Sequence, residues 1–313
     1  MPQGVKILIL LSLLAAACGP DQSVPSRVRM ADRALAEMGA DPGASLELPA
    51  IRLPRDWRPN AICLSQRGLL IGAGADLWLR QPTGQFEKLG TLPGELTALA
   101  DAGDGTLWVS TRAAVYRMDA GRPTFAFQPK DSARSNIVSL AASTERVWVA
   151  DAGNRRIWIL DGSGRLVASF GERTSDYPGL VVPSPHLDVV RLPDGRFANV
   201  NPGLHRIELR NSDGRLLGFF GESGSALEQF PGCCNPTDLA ALPDSAIATM
   251  EKGLPRIKVY DTDGRLLSLV AGSASFHPST PGGDMAASAN GEIWFLDRHR
   301  GEVRRFVREV RKR

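Results

Sequence analysis

The chain has 313 residues, of which 43% are hydrophobic and 6% aromatic, with 32 glycines, 22 prolines and a formal net charge of +3. A charge this close to neutral offers a polyanion no broad attraction, so no nucleic acid partner is expected. High Gly and Pro content without a heptad pattern excludes a long helical protein and suits one large all-β domain.

Residues 1–18 read as a targeting segment. Lys6 supplies a positive start, residues 7–14 an apolar run, and Ala15, Ala16, Ala17 and Cys18 a small-residue cleavage site. The apolar run is too short for a spanning helix, which needs about 20 residues. The segment resembles a bacterial lipoprotein signal, with Ala15 standing where that pattern usually has Leu. The resemblance implies lipidation of Cys18, with palmitate-type acyl chains anchoring the chain to a membrane. An ordinary secretory signal cut near Ala17 is the alternative. Gly19, rather than Asp, after the cysteine is similar to lipoproteins passed to the outer membrane, so a periplasm-facing location is expected. Residues 19–44 are polar and read as a tether, with a short helix over residues 26–38 capped by Ser26.

Residues 45–307 repeat one unit, clearest over residues 146–172 (RVWVADAGNRRIWILDGSGRLVASFGE). Three short runs of β-branched and aromatic residues are separated by Asp/Gly/Asn/Ser turns, which predicts an antiparallel meander. The first turn of the unit recurs at Gly68, Gly105, Glu145, Gly195, Ser245 and Gly291, spaced 37, 40, 50, 50 and 46 residues apart. A later turn recurs at Gly84, Gly121, Gly164, Gly214 and Gly264. Ahead of each first turn lies one more apolar run, at residues 61–64, 96–99, 137–140, 187–190, 238–241 and 284–287. Six four-stranded sheets that cannot bury both faces alone predict radial packing, a six-bladed β-propeller. The sixth unit stops after residues 303–306 without a fourth strand, and residues 46–53 (LELPAIRL) are free to supply it from the N-terminus. Residues 308–313 are a basic tail, continuing a run that begins at Arg298 and suits anionic lipid or an acidic partner.

The turn at Asp151, Gly153, Asn154, Arg155 and Arg156, with Ile157 after it, resembles the NHL repeat, more faintly echoed at residues 201–207 and 251–257. The resemblance implies a propeller that binds proteins, RNA or small molecules, with a few enzymes among its relatives. Units four and five are also similar to a narrower group of exported NHL-like proteins, through residues 201–208, 232–236 (GCCNP) and 251–260. Those proteins often carry a further cysteine where Pro231 stands here.

Without Cys18, the chain keeps Cys63, Cys233 and Cys234, an odd number for an exported protein. The adjacent pair has three readings: small buried residues, a strained vicinal disulfide, or thiolate ligands for a soft metal. Asp188, Asp238 and Asp284 hold equivalent places at three inner-strand entries. Converging carboxylates suit a cation, and the same residue type also satisfies backbone N–H groups at a strand entry. His186 and His205 are candidates to join them, although four histidines in the chain argue against a three-histidine zinc centre. Trp108, Trp148 and Trp294 recur at one strand position and read as packing between blades.

The ligand-binding mouth is expected at Cys233, Cys234 and Asn235 with Asn201, His205, Glu251, Lys252 and Arg256, where units four and five depart from their own repeat. No nucleophile elbow, phosphate loop or paired CxxC motif occurs. Two functions remain open. One is a membrane-anchored binding scaffold for a partner protein or small ligand. The other is a metal- or thiol-dependent enzyme or redox accessory protein built on the two cysteines. No particular cofactor follows from the sequence.

Overall fold

The computed structural model describes residues 45–308; Cys18, residues 19–44 with their predicted helix, and residues 309–313 lie outside the described residues. Among the described residues, twenty-four strands form six antiparallel sheets of four. Blade 1 is β2 (Pro59–Ser65), β3 (Gly68–Ala73), β4 (Asp76–Arg80) and β5 (Phe86–Thr91). Blade 2 is β6 (Leu96–Asp101), β7 (Leu107–Thr111), β8 (Val115–Asp119) and β9 (Arg122–Phe127). Blade 3 is β10 (Ile137–Ala142), β11 (Arg146–Asp151), β12 (Arg156–Asp161) and β13 (Leu166–Phe170). Blade 4 is β14 (Val189–Arg191), β15 (Phe197–Asn201), β16 (Arg206–Arg210) and β17 (Leu216–Phe220). Blade 5 is β18 (Asp238–Ala241), β19 (Ile247–Met250), β20 (Ile257–Tyr260) and β21 (Leu266–Ala271). Blade 6 is β22 (Met285–Ala287), β23 (Glu292–Asp297) and β24 (Glu302–Val307), and its fourth strand is β1 (Leu46–Arg52) from the other end of the chain.

The turn chemistry explains why the units repeat. Asp161 Oδ1 accepts hydrogen bonds from Ser163 N and Arg165 N, and Asn211 and Asp261 do the same for the equivalent turns of blades 4 and 5. The fourth residue of each turn takes a positive φ, 90° at Gly214, where an added Cβ would also lie 2.8 Å from Ile159 of the neighbouring blade. Only glycine meets both demands.

The second strand of each blade lies between two neighbouring sheets and is buried almost throughout, as in β11 and β15. Outer strands are half exposed, and Phe125, Leu166, Leu217, Phe219 and Leu267 face solvent along them. The core is accordingly a ring of five apolar clusters at the seams between blades. At the seam of blades 3 and 4, Trp148 stacks on Phe197 with centroids 4.3 Å apart and planes 3° from parallel. Trp158 meets Phe127 at the seam before it. Tryptophans at these repeat positions therefore act in packing.

The ring is closed by β1, which pairs with β24 from Leu46 opposite Val307 to Arg52 opposite Glu302. A two-pronged ion pair, Arg304 Nε to Glu47 Oε1 at 2.6 Å and Nη2 to Oε2 at 2.8 Å, fixes that register.

Candidate functional site

In an antiparallel blade, the turn between the second and third strands and the connector to the next blade emerge on one face. Connectors 171–188, 221–237 and 272–284, leading into blades 4, 5 and 6, are long enough to fold over that face. Each is tied down by buried charge. In blade 4, Glu208 is held by Arg206 at 2.7 Å and Arg210 at 2.6 Å, and it accepts from Tyr177 Oη of the connector at 2.9 Å. In blade 5 the carboxylate moves to Glu251, paired with Arg256 at 2.6 Å and with Lys258. Lys258 Nζ donates on to Leu227 O and Gln229 O of the second connector at 2.8 and 2.9 Å. In blade 6, Arg304 reaches Ser275 O of the third connector at 2.8 Å.

These ladders relocate part of the expected ligand set. Asn201, Glu251 and Arg256 are 0%, 0% and 2% exposed, with their polar atoms engaged inside the blades, so they hold connectors and do not line a mouth. Asn201 accepts from Val181 N at 2.9 Å and donates to Gly179 O at 2.9 Å and Glu208 at 2.8 Å. His205 closes a short 3-10 turn (Pro202–Leu204) in a left-handed conformation and is also enclosed. Burying a charge is tolerated only when it is paired and hydrogen-bonded, which is why these departures from the repeat come as sets.

The rest of the set does come together. Asn235 Oδ1 accepts from Lys252 N at 2.9 Å, and Asn235 Nδ2 donates to Lys252 O at 3.0 Å and Pro231 O at 2.6 Å. The cysteine loop and the turn carrying Lys252 are thereby bound to one another. Lys252 Nζ donates to Ser184 Oγ of the preceding connector at 3.0 Å. The sulfurs of Cys233 and Cys234 lie 3.2 Å apart as thiols, Cys233 exposed and Cys234 2% exposed. Burial pushes the Cys234 thiol up, but hydrogen bonds from Lys252, Ser184 and Cys233 and the ammonium charge outweigh it, leaving the group more acidic than an ordinary thiol. Burial pushes Cys63, in the inner strand of blade 1, the other way, up to about 12.

Beside this loop, a cavity of about 400 Å³ opens into the central channel and is lined by Asn60, His186, Thr237, Asp238, Asp284 and Arg298, among others. Burial and then the charges of Lys252 and Arg298 lower His186 to about 4, so it is a neutral imidazole near pH 7. Asp188, Asp238 and Asp284 do converge here, and each is used as a latch to the next blade. Asp188 accepts from Leu239 N, Asp238 Oδ2 from Gly283 N at 3.3 Å, and Asp284 Oδ2 from Ile62 N at 2.6 Å. Burial, with mutual repulsion at Asp188 and Asp284, raises all three, Asp238 to about 6 and Asp284 to about 7. Among the described residues, no group of three His, Cys, Asp or Glu side chains is arranged to hold a metal ion. The carboxylates stand in the inter-blade hydrogen bonding that a strand-entry role requires.

Ser184 and Arg298 were not expected from the repeat pattern, because they sit in a connector and in a run that reads as a basic tail. A signal existed in the unit spacing: repeats of 50, 50 and 46 residues against 37 and 40 mark where inserted chain crosses the mouth.

No family model matches the chain, and no curated protein matches it. Among solved structures, it is similar in fold to a streptogramin B lyase, with a TM-score of 0.58 and 16% identity over 81% of this chain and 80% of that one. A catalytically inactive virginiamycin B lyase from Staphylococcus aureus, crystallised with quinupristin, gives a TM-score of 0.57 and 17% identity over 83% and 84%. A protein of unknown function from Bacteroides thetaiotaomicron gives 0.59 and 13% over 84% and 76%. At such identities the likeness establishes the propeller and nothing about chemistry.

Proposed function

We propose that the chain is a membrane-tethered, extracytoplasmic binding scaffold, anchored through Cys18 at the outer membrane and facing the periplasm, that holds a small ligand or a loop of a partner protein at the mouth over blades 4 to 6. The observation that carries this reading is the cavity of about 400 Å³ framed by three long connectors, into which neutral His186 and the exposed Arg298 turn polar groups. A rigid ring that presents variable loops at one mouth suits binding. The lipoprotein-type signal supplies the tether, and residues 19–44 the reach.

A photo-crosslinking side chain placed at His186 of the full-length protein in its own cell envelope tests the reading. A discrete adduct is expected there and not with the same group at Asn290, an exposed turn on the opposite face. No adduct, or equal labelling at both positions, would overturn it.

A further inference from the structure

The two adjacent cysteines differ in access, which governs which sulfur an external thiol can reach. Cys233 is exposed, whereas Cys234 is enclosed. Cys234 has the Lys252 ammonium and the Ser184 hydroxyl directed at its sulfur, and the ammonium is itself fixed by its 3.0 Å bond to Ser184 Oγ. The Asn235 side chain joins the loop that carries the sulfurs to the turn that carries the ammonium, so the arrangement is held from both sides. The sulfurs, 3.2 Å apart, are already in contact.

We propose that Cys233 and Cys234 form a redox pair that cycles between dithiol and vicinal disulfide by exchange with small thiols and disulfides, Cys233 meeting the external sulfur and Cys234 acting as leaving and resolving sulfur. In the reductive direction, an external thiolate RS⁻ attacks Cys233 Sγ. The Cys233–Cys234 bond breaks, and its electron pair goes to Cys234 Sγ, where Lys252 stabilises the thiolate. A second external thiolate attacks the R sulfur of the mixed disulfide, releasing RSSR and the Cys233 thiolate, which takes a proton. The sum is a vicinal disulfide plus two RSH giving one thiol, one thiolate, one proton and RSSR, with two electrons passed to the protein. With RSSR as oxidant, each step runs in reverse. An acidic thiol leaves faster, and attack favours the accessible sulfur; both rules assign the same roles to the same residues. The proposal deepens the reading of this mouth as the working face and does not depend on the cavity being filled.

The test uses the full-length protein in glutathione buffers from fully reduced to fully oxidised, quenched with acid, alkylated and read as peptides by mass spectrometry. The peptide containing both cysteines is expected to lose two hydrogens in oxidising buffer and regain them in reducing buffer. Cys234→Ser should accumulate one glutathione on Cys233, and Cys233→Ser should take up at least about tenfold less on Cys234. Lys252→Met should slow alkylation of Cys234 near pH 7, because the ammonium that favours its thiolate is gone. Lys252→Arg, which keeps the charge, should restore most of the rate and guards against a folding artefact. A pair that stays reduced throughout, glutathione that prefers Cys234, or an unchanged alkylation rate in Lys252→Met would each overturn the proposal. So would a stoichiometric thiophilic ion shielding both sulfurs in the purified protein. Crosslinking at His186 reports occupancy of the cavity whatever the sulfur oxidation state, so the two readings fail separately.

Discussion

The carboxylate of Asp284, at the entry to the last blade, accepts a 2.6 Å hydrogen bond from the backbone N–H of Ile62 in the first blade. It joins the two ends of the ring at the channel wall, while β1 joins them at the outer edge. The same carboxyl is pushed up to about 7 by burial and by the neighbouring charge of Asp238.

That coupling predicts a pH dependence of known sign. A carboxyl whose folded pKa is raised binds its proton more tightly in the native state, so its contribution is most favourable below the unfolded value near 4 and is lost as pH rises through about 7. Stability should therefore fall as pH rises from about 4 to about 7 and stay low at pH 8. Asp284→Asn should flatten that dependence and raise the melting temperature at pH 8 by about 2–5 °C. Thermal melts of both proteins across this range are the measurement, and an unchanged slope would show that Asp284 is not the titrating group.

Among the described residues, Glu251 is the ion-pair partner of both Arg256 and Lys258, all three buried. Glu251→Gln would leave two enclosed cations short of their counter-charge and should destabilise by about 3–5 kcal/mol. Because Lys258 holds Leu227 O and Gln229 O, the loss should loosen the second connector first. Hydrogen exchange is expected to rise over residues 221–237 before any other segment.

Removing residues 45–53 takes away β1 and strands Arg304, 1% exposed, without Glu47. An unpaired edge on β24 results, so unfolding should become broad and aggregation-prone. A deletion variant that melts as sharply and as high as the parent would show that the ring closes without β1.

Trp148→Ala would empty the seam between blades 3 and 4, where the ring lies on Phe197 and its Nε1 donates to Ser212 O at 3.2 Å. A loss of about 3–5 kcal/mol is expected from denaturant titration. A loss below about 1 kcal/mol would mean the seam collapses around the gap.

Cys18→Ser should abolish lipid attachment, since the thioether needs the thiol, and leave the melting curve of the propeller unchanged. Continued partition of that variant with membranes would refute the lipoprotein reading.

The sequence by itself determined the number of blades and their strands, because period-2 runs, Asp-x-x-Gly turns and their spacing are local properties that each unit states again. It also determined the places of the inner-strand aspartates and the packing tryptophans, as each holds a fixed offset from a turn. Only the tertiary structure decided what the irregular residues of blades 4 and 5 do. Asn201 and Glu251 depart from the repeat as sharply as Lys252 does, Arg256 keeps the arginine of Arg156 and Arg206, and nothing local separates Asn201, Glu251 and Arg256 from Lys252. The first three are enclosed and neutralise one another or hold backbone groups, whereas Lys252 is left at the rim to meet Ser184 and Cys234. That division depends on which connector folds over which turn, and on Ser184 approaching Lys252 from 68 residues away, a contact set by the curvature of the closed ring and by no pattern within a unit.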